Sequence, residues 1–493
     1  MSNSPDGIYE KGIIDPGLPV SNSTNSFWLT EPAAISKLRS AWPNHADIVI
    51  IGSGMTAASL AYTLYSKRPN LQIVIVEARD LCSGATGRNG GHIKAMSPGA
   101  WFDRKQQFGV QEAVRIMEYE HSHLEEMASC IKQNKIECDL NLLEGLDVYY
   151  DDKVFAHACN AVEDMRKYAP SLADRYSIYT TSEDLKARNC PEECVGVIGM
   201  AAGSMWPYKM VTALLDKMVK ENGLSIQANT VVSSVVEEDG ATFATVKTDR
   251  GEIRGNHVVH ATNGWVGHLI PELRPYVSPV RANVQRKSLQ PAKLRLKNSW
   301  WLRYGEKDYD YMMQRPDGAY IVGRANTGRK ATADDGTMDL VPQAHLRGVT
   351  PQLYNFGTDK IETTHAWSGA VAFTLDGNPF VGRLPFPNRR HQWVCAAFQG
   401  IGMVRAFRSG HMLALLLLEE ELPDFDALWQ RLSVQNCAIE PQEPLNLLCL
   451  WERSPRGDEP GRDAGGLPSR QPRAHHPGRA ARQAITIEAP ARR

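Results

Sequence analysis

The stretch Asp47-Ile-Val-Ile-Ile-Gly52-Ser53-Gly54-Met55-Thr56-Ala57 decides the fold. In 47–51, the four residues after Asp47 are β-branched and apolar, as a short parallel strand buried on both faces requires. Two glycines follow, and from Met55 to Lys67 apolar residues recur at helical spacing (Ala57, Leu60, Ala61, Leu64). Pro69-Asn70 ends that helix, and Ile73–Val76 reads as a second buried strand finished by Glu77. Strand, glycine turn, helix and strand within about 30 residues make one βαβ unit.

In Gly52-x-Gly54-x-x-Ala57 the first glycine permits a tight turn and the second lets the backbone approach a pyrophosphate. The small third residue lets helix and strand pack closely, while the helix N-terminus supplies amide donors and positive dipole. Ser53, Met55 and Thr56 complete that turn. Glu77 stands where a carboxylate takes ribose hydroxyls, with Ala78 and Arg79 directly behind it. A purely structural glycine turn would not explain Glu77, so dinucleotide binding is the reading. This unit by itself does not separate FAD from NAD. A glycine- and hydroxyl-rich loop follows, Ser83-Gly-Ala-Thr86-Gly87-Arg88-Asn89-Gly90-Gly91-His92. Its amides and its arginine suit a second phosphate and the approach to a ring, although the same composition suits a mobile loop.

Working outward, 493 residues suggest two or three domain-sized units. A net charge of -1 offers no bulk attraction to nucleic acid or an anionic membrane. The polar start, MSNSPDGIYEKG, shows no secretory signal, and the longest apolar run, Met412–Leu418, is too short for a bilayer. The nine cysteines are scattered, and Cys190 and Cys194 lack a second ligand pair at zinc spacing. The expectation is a soluble, cytoplasmic protein whose partners are small molecules, without metal, membrane or nucleic acid.

Residues 1–45 read as an arm over the body, with a short helical candidate at 32–41. The stretches 46–110, 201–265 and 366–425 read as a discontinuous dinucleotide domain. Residues 111–200, helical in texture, and 266–365, strand-rich, read as a substrate domain. The overall expectation is an α/β fold, a Rossmann-type domain with an inserted antiparallel β-sheet domain. Residues 426–493 read as a disordered tail rich in Arg, Pro and Gly, with no aromatic after Trp451 to stack on nucleic-acid bases.

Five segments carry a specific resemblance: DIVIIGSGMTAASLAY, VIVEARDLCSGATGRNGGHI, TVVSSVVEEDG with VVHATNGW, WSGAVAFTLDGNPFVGRLP, and AAFQGIGMVRAF. Over about residues 25–422 the chain resembles the D-amino-acid-oxidase-like (DAO) superfamily of FAD-dependent oxidoreductases, most of all the gamma-glutamylputrescine oxidase branch and its fungal relatives. The fungal texture of the arm suggests, by analogy, secondary metabolism. The resemblance implies that Gly52, Gly54 and Ala57 hold the pyrophosphate, Glu77 the adenosine ribose and the Val232 backbone the adenine. It implies that Thr86, Gly87, Arg88, Asn89, Gly90, Gly91 and His92 run beside the isoalloxazine. Gly400, Gly402 and Met403 would close over the flavin end at a helix N-terminus, whose dipole favours negative charge on reduced flavin.

Two positions depart from the family pattern. Ile401 stands where many relatives have His, and Gly369, Ala370 and Arg88 stand where some members attach FAD covalently. Non-covalent FAD is therefore expected. The implied reaction removes a hydride from the carbon beside nitrogen of an amine or amino acid, with O2 as acceptor. A nearby cation would assist oxygen; Arg405 leads, with Lys94 and the Arg281/Arg286/Lys287 cluster behind it, and His92 is the second candidate for a catalytic contact. The substrate region supplies Arg274, Arg303, Tyr304, Asp308, Tyr309 and Tyr311, while Trp300 and Trp301 serve equally as wall or core. A dehydrogenase using another acceptor, or a flavin-binding protein without turnover, stays open.

Overall fold

The computed structural model describes residues 14–289, 296–305, 307–325, 331–353 and 361–422. The predicted βαβ unit is present as the strand His45–Ile51, the helix Met55–Lys67 and the strand Ile73–Val76, all with buried apolar faces. Their register is parallel, with Ile48 opposite Ile73 and Ile51 opposite Val76. Around them an eight-stranded sheet runs in the order Phe380–Arg383, Gln392–Ala396, Gly251–His260, His45–Ile51, Ile73–Val76, Ser225–Gln227. Val232–Val236 and Ala244–Thr248 form an antiparallel flap on Gly251–His260.

The pairings from Gln392–Ala396 through Gly251–His260, His45–Ile51 and Ile73–Val76 to Ser225–Gln227 are all parallel, so five strands end on one edge of the sheet. Ligands of open α/β sheets bind beyond the carboxyl ends of such strands. Across one face, the helix Met55–Lys67 lies against Ala406–Leu417. Gly410 permits that approach: a Cβ there would lie 2.6 Å from the Thr56 carbonyl oxygen.

A nine-stranded, mostly antiparallel sheet forms the second layer. Its order is Ile361–Thr374, Val277–Leu289, Tyr320–Ala325, Tyr309–Gln314, Asn298–Arg303, Asn141–Tyr149, Gly196–Ser204, His92–Lys94, with the ninth strand, Ser177–Tyr179, paired to Gly196–Ser204 off this path. The strands Asn141–Tyr149 and Gly196–Ser204 come from a stretch whose texture predicts helix. Their Glu, Leu and Met content is helix-forming, and the cross-strand pairing and burial of Leu146, Val148 and Ile198 override it. The helix Ala100–Gln133 is broken at Gly109, whose φ is +80°.

The arm differs from expectation. Trp28 is fully buried, and Phe27 sits in the same cluster. Residues 32–41 form turns and a bridge, Arg39 to Gln227, instead of a helix. Their backbone is bonded elsewhere: Ser40 N donates to Ile226 O, and Ala228 N donates to Leu38 O. Edge pairing has taken the groups that a helix would use. The predicted tail, residues 426–493, lies outside the described residues.

Candidate functional site

One long cavity runs along the carboxyl edge of the first sheet and under the second. The turns after three parallel strands line it, as Gly52–Thr56, Glu77–Arg79 and Ala261–Trp265, and Phe398–Val404 lies beyond a fourth. Gly52 has φ +103°, and a Cβ on it would lie 2.7 Å from the Ala261 carbonyl oxygen. Gly54 begins the helix without any side-chain cap of its own, and Met55 N donates to Thr86 Oγ1 at 3.0 Å. Ala57 is fully buried between helix and sheet.

Glu77 Oε2 accepts from Ser53 N at 3.1 Å and Ser53 Oγ at 2.6 Å, and Oε1 accepts from Arg79 N at 3.0 Å. Burial pushes its carboxyl upward against those hydrogen bonds. Ala78 lines the same wall, and Val232 opens the flap strand beside it. Arg79 forks onto Asp335, two bonds of 2.9 Å, so its charge is neutralised there.

The loop 83–92 is held from the protein side. Ser26 Oγ donates to Gly87 O at 2.7 Å, and Trp28 Nε1 donates to Asn89 O at 2.6 Å. Arg88 is buried, donating to Ser83 O, Thr24 Oγ1, Ser368 O and Ser23 Oγ, and it faces Asp335 at 3.3 Å. Burial lowers its pKa to about 10. Its guanidinium thus ties the loop to the arm and second sheet, a different use from the phosphate contact its composition suggests. Asn89 Oδ1 accepts from Gly91 N, and its Nδ2 reaches Met403 Sδ at 3.3 Å, joining this loop to the Gly400–Met403 turn.

That turn carries strain: Ala397, Gln399 and Gly400 have φ of +67°, +56° and +70°. Gln399 stabilises it by bonding Thr374 through both ends of its amide, and Asn263 Oδ1 accepts from Ala397 N. Gly402 and Met403 line the cavity just before the helix Ala406–Leu417.

The candidate catalytic pair is separated. His92 lines the cavity, with Nε2 at 2.6 Å from Ser299 Oγ and Nδ1 accepting from Trp301 Nε1 at 3.2 Å. Burial, and then the Lys94 charge, press its pKa down to about 3, so the ring is neutral. With Nδ1 an acceptor, the proton belongs on Nε2. Arg405 does not line the cavity: it is buried, its Nε and Nη2 donate to Glu120 Oε1 at 3.1 and 2.7 Å, and its Nη1 to Gly377 O. Its position directly after the glycine turn suggested the flavin end, yet the local chain turns the side chain into the core.

Among the other cations, Lys94 and Arg281 line the cavity, whereas Arg286 and Lys287 do not. Lys94 Nζ pairs with Asp147 at 3.0 Å and stands 3.9 Å from the centre of the Trp301 ring. Burial lowers its pKa to about 8 against the pull of Asp147. Trp301 and Tyr309 stack at 4.9 Å and, with Tyr311, build the aromatic wall, while Trp300 faces the core. Arg274 bonds Asp15, and Arg303 bonds Asp147.

Thr262, Trp265 and Asp335 were not legible as site residues. Only their location, after a parallel strand's end or across the chain from Arg79, marks them. Thr262 Oγ1 and Trp265 Nε1 line the cavity, buried, with no hydrogen bond to a described residue. These polar atoms, the glycine cradle and the buried Glu77 fit a bound dinucleotide.

A family model described as FAD dependent oxidoreductase (DAO) matches residues 47–416. Among curated proteins the chain is 24% identical to a probable oxidoreductase, OrdL, of Rhizobium meliloti, over 68% of this chain and 75% of that protein. It is 23% identical to gamma-glutamylputrescine oxidoreductase of Escherichia coli, over 75% and 83%. Among solved structures, glycine oxidase from Geobacillus kaustophilus superposes with TM-score 0.63 at 17% identity, covering 77% of this chain and 96% of that one.

Proposed function

The chain belongs to the DAO family of FAD-dependent oxidoreductases, and on that premise we propose that it oxidises a C–N bond of an amine or amino acid to an imine, with O2 as acceptor and hydrogen peroxide as product. The observation that carries this reading is the continuity of the cavity from Glu77, past the 83–92 loop, to the aromatic wall of Trp301, Tyr309 and Tyr311. Two family relatives, gamma-glutamylputrescine oxidoreductase and glycine oxidase, bear names of the same chemistry.

In this reading Gly52, Ser53, Gly54, Met55, Thr56 and Ala57 hold the pyrophosphate, Glu77, Ala78 and Arg79 border the ribose, and Val232 meets the adenine. Thr86 to Gly91 run beside the ring, and Gly400, Gly402 and Met403 close its far side. Bound FAD supplies the hydride acceptor beside the substrate carbon. Around it the chain's own groups position the substrate and exclude water: the aromatic wall supplies apolar surface, and neutral His92 holds the Trp301 indole edge-on. The cation this reading assigns to oxygen is Lys94, which lines the cavity where Arg405 does not. FAD is held without a covalent bond, because Gly369 and Ala370 offer no attaching atom and Arg88 is engaged by four protein acceptors.

The test begins with the visible spectrum of purified protein before and after acid precipitation. Flavin absorbance near ~450 nm that leaves with the supernatant supports non-covalent FAD. The holoenzyme is then mixed anaerobically with a panel of amines and amino acids, and air is admitted. Bleaching followed by recolouring within seconds and peroxide release supports an oxidase. Bleaching without recolouring moves the reading to a dehydrogenase, and no bleaching with any panel member overturns catalysis.

A further inference from the structure

Cys190 and Cys194 do not line the cavity and belong to no metal-ligating cluster among the described residues, yet the chain is folded to bring them together. The helix Ser182–Ala187 ends as Asn189 takes φ +55° and Cys190 N donates back to Leu185 O at 3.0 Å. The chain then turns tightly, Cys194 N donating to Pro191 O at 3.1 Å, and Val195 N is fixed on Tyr149 O at 2.9 Å. Each cysteine is thus held by backbone on its own side of a short turn. Both pack into one apolar cluster with Leu146, Val197 and Leu302, Cys194 buried and Cys190 partly exposed.

Within that cluster the two side chains meet: the Cys190 thiol donates to Cys194 Sγ, and the Cys194 thiol reaches Gly196 O at 3.2 Å. A four-residue turn keeps its ends within about 7 Å, the Cα separation that a disulfide can span. Cys194 closes this turn, and Cys190 immediately precedes it. The contact also sets the pair apart chemically. It holds the Cys194 thiol below its ordinary pKa and pushes the Cys190 thiol up. Burial pushes the thiols of Cys82, Cys130, Cys138, Cys159 and Cys395 up. The thiolate is the reactive form of cysteine, and a sulfenic acid formed beside a second thiol condenses with it.

We propose that Cys190 and Cys194 are a redox pair that hydrogen peroxide converts to a reversible disulfide within the chain. The Cys194 thiolate attacks one peroxide oxygen, an S–O bond forms as the O–O bond breaks, and the departing hydroxide takes up the proton that Cys194 gave up. The Cys190 sulfur then attacks the Cys194 sulfur. The S–S bond forms, the S–O bond breaks, and hydroxide leaves with the Cys190 proton as a second water. In sum the two thiols lose two electrons and one peroxide becomes two waters. Cys194 is the attacking sulfur and Cys190 the resolving one. Peroxide is also the product of the proposed C–N oxidation, but the chemistry of the pair does not depend on where the peroxide comes from.

The FAD-loaded full chain, reduced and then freed of reductant, is treated with added hydrogen peroxide, denatured in iodoacetamide and digested with trypsin. Residues 189–209 leave as one peptide that carries both cysteines. Cys159, also partly exposed but outside the pair, serves as the internal comparison. At a dose that leaves Cys159 alkylated, the 189–209 peptide is expected two hydrogens lighter and without either label, and dithiothreitol restores both labels. Cys194→Ser gives no such light peptide; if that variant fails to fold, the wild-type peptide alone decides. Labels on the pair lost no faster than the label on Cys159 overturn the proposal. So does a gain of oxygen in place of the lost hydrogens, or a disulfide from either cysteine to another part of the chain. Because the peroxide is added, the result stands whether or not any amine or amino acid bleaches the flavin.

Discussion

Gly52 and Lys94 show how much rests on single atoms. Gly52 holds φ +103° with the Ala261 carbonyl crossing directly over it. Gly52→Ala combines a disfavoured backbone with a 2.7 Å contact, so a loss of about 2–4 kcal/mol is expected, with loss of FAD. Urea midpoints and flavin absorbance of the purified variant check both. Lys94 is seated by Gly145, where a Cβ would lie 2.9 Å from its Cδ. With a pKa near 8 the ammonium is charged below that value and neutral above it. A step that uses its charge should be fast below pH 8 and fall off above it. Stopped-flow reoxidation across pH should show that limb in the wild type, and Lys94→Met should be slow and flat. An identical limb in Lys94→Met would remove the lysine from the oxygen step. At this scale the glycine turn after His45–Ile51 was readable, because a positive φ at Gly52 is a local requirement. The partners of the cations were not, since Asp147 and Asp335 lie far off in sequence.

At the scale of elements, Glu120 on the Ala100–Gln133 helix is a buried node. It accepts from Arg104, from Arg405 and from Met96 N, joining the strand His92–Lys94 to the segment that starts the helix Ala406–Leu417. Burial raises its carboxyl, but Arg104 and Arg405 together pull it down to about 2. The folded pKa lies below the unfolded value near 4.5, so the contribution is complete above about pH 4.5 and is lost as pH falls towards 2. Its size is on the order of 3 kcal/mol. Acid denaturation followed by tryptophan fluorescence should begin at higher pH in Arg405→Ala, where one guanidinium is gone. The same variant should lose about 3 kcal/mol in urea at neutral pH. Unchanged acid and urea midpoints would show the node to be energetically idle. The helix over 55–67 and its flanking strands were legible from periodicity, but Asn141–Tyr149 was not, because its residues suit a helix until a partner strand is present.

At the scale of the whole molecule, the cavity is walled by both sheets and by the arm that fastens the 83–92 loop. Binding there couples FAD to global stability: at 100 times its dissociation constant a ligand adds about 2.7 kcal/mol. Melting curves of apo and FAD-loaded protein should separate accordingly, and equal midpoints would mean that the cofactor does not bridge the layers. Trp28→Ala removes a fully buried indole and the bond to Asn89 O. A loss of about 3–5 kcal/mol is expected. It should be accompanied by weaker FAD binding, measured by flavin release on dilution; tight FAD in a destabilised variant would confine Trp28 to packing. None of the described helices is long and apolar enough to cross a membrane.

Local sequence was enough for the βαβ unit, because its strands, glycine turn and helix depend on neighbours within one turn or one crossover, and five segments spread along the chain were enough for the family. Long-range packing set which cations face the cavity, which aromatics form its wall, and that Phe27, Trp28 and Ile35 of the arm enter the core. Those outcomes depend on which distant strand, loop or carboxylate arrives beside each side chain. Arg405 was aimed by sequence position and captured by Glu120, while Tyr311 was seated by Gly323, 12 residues on, and by Gly90 in the 83–92 loop. Periodicity carries no record of such long-range partners.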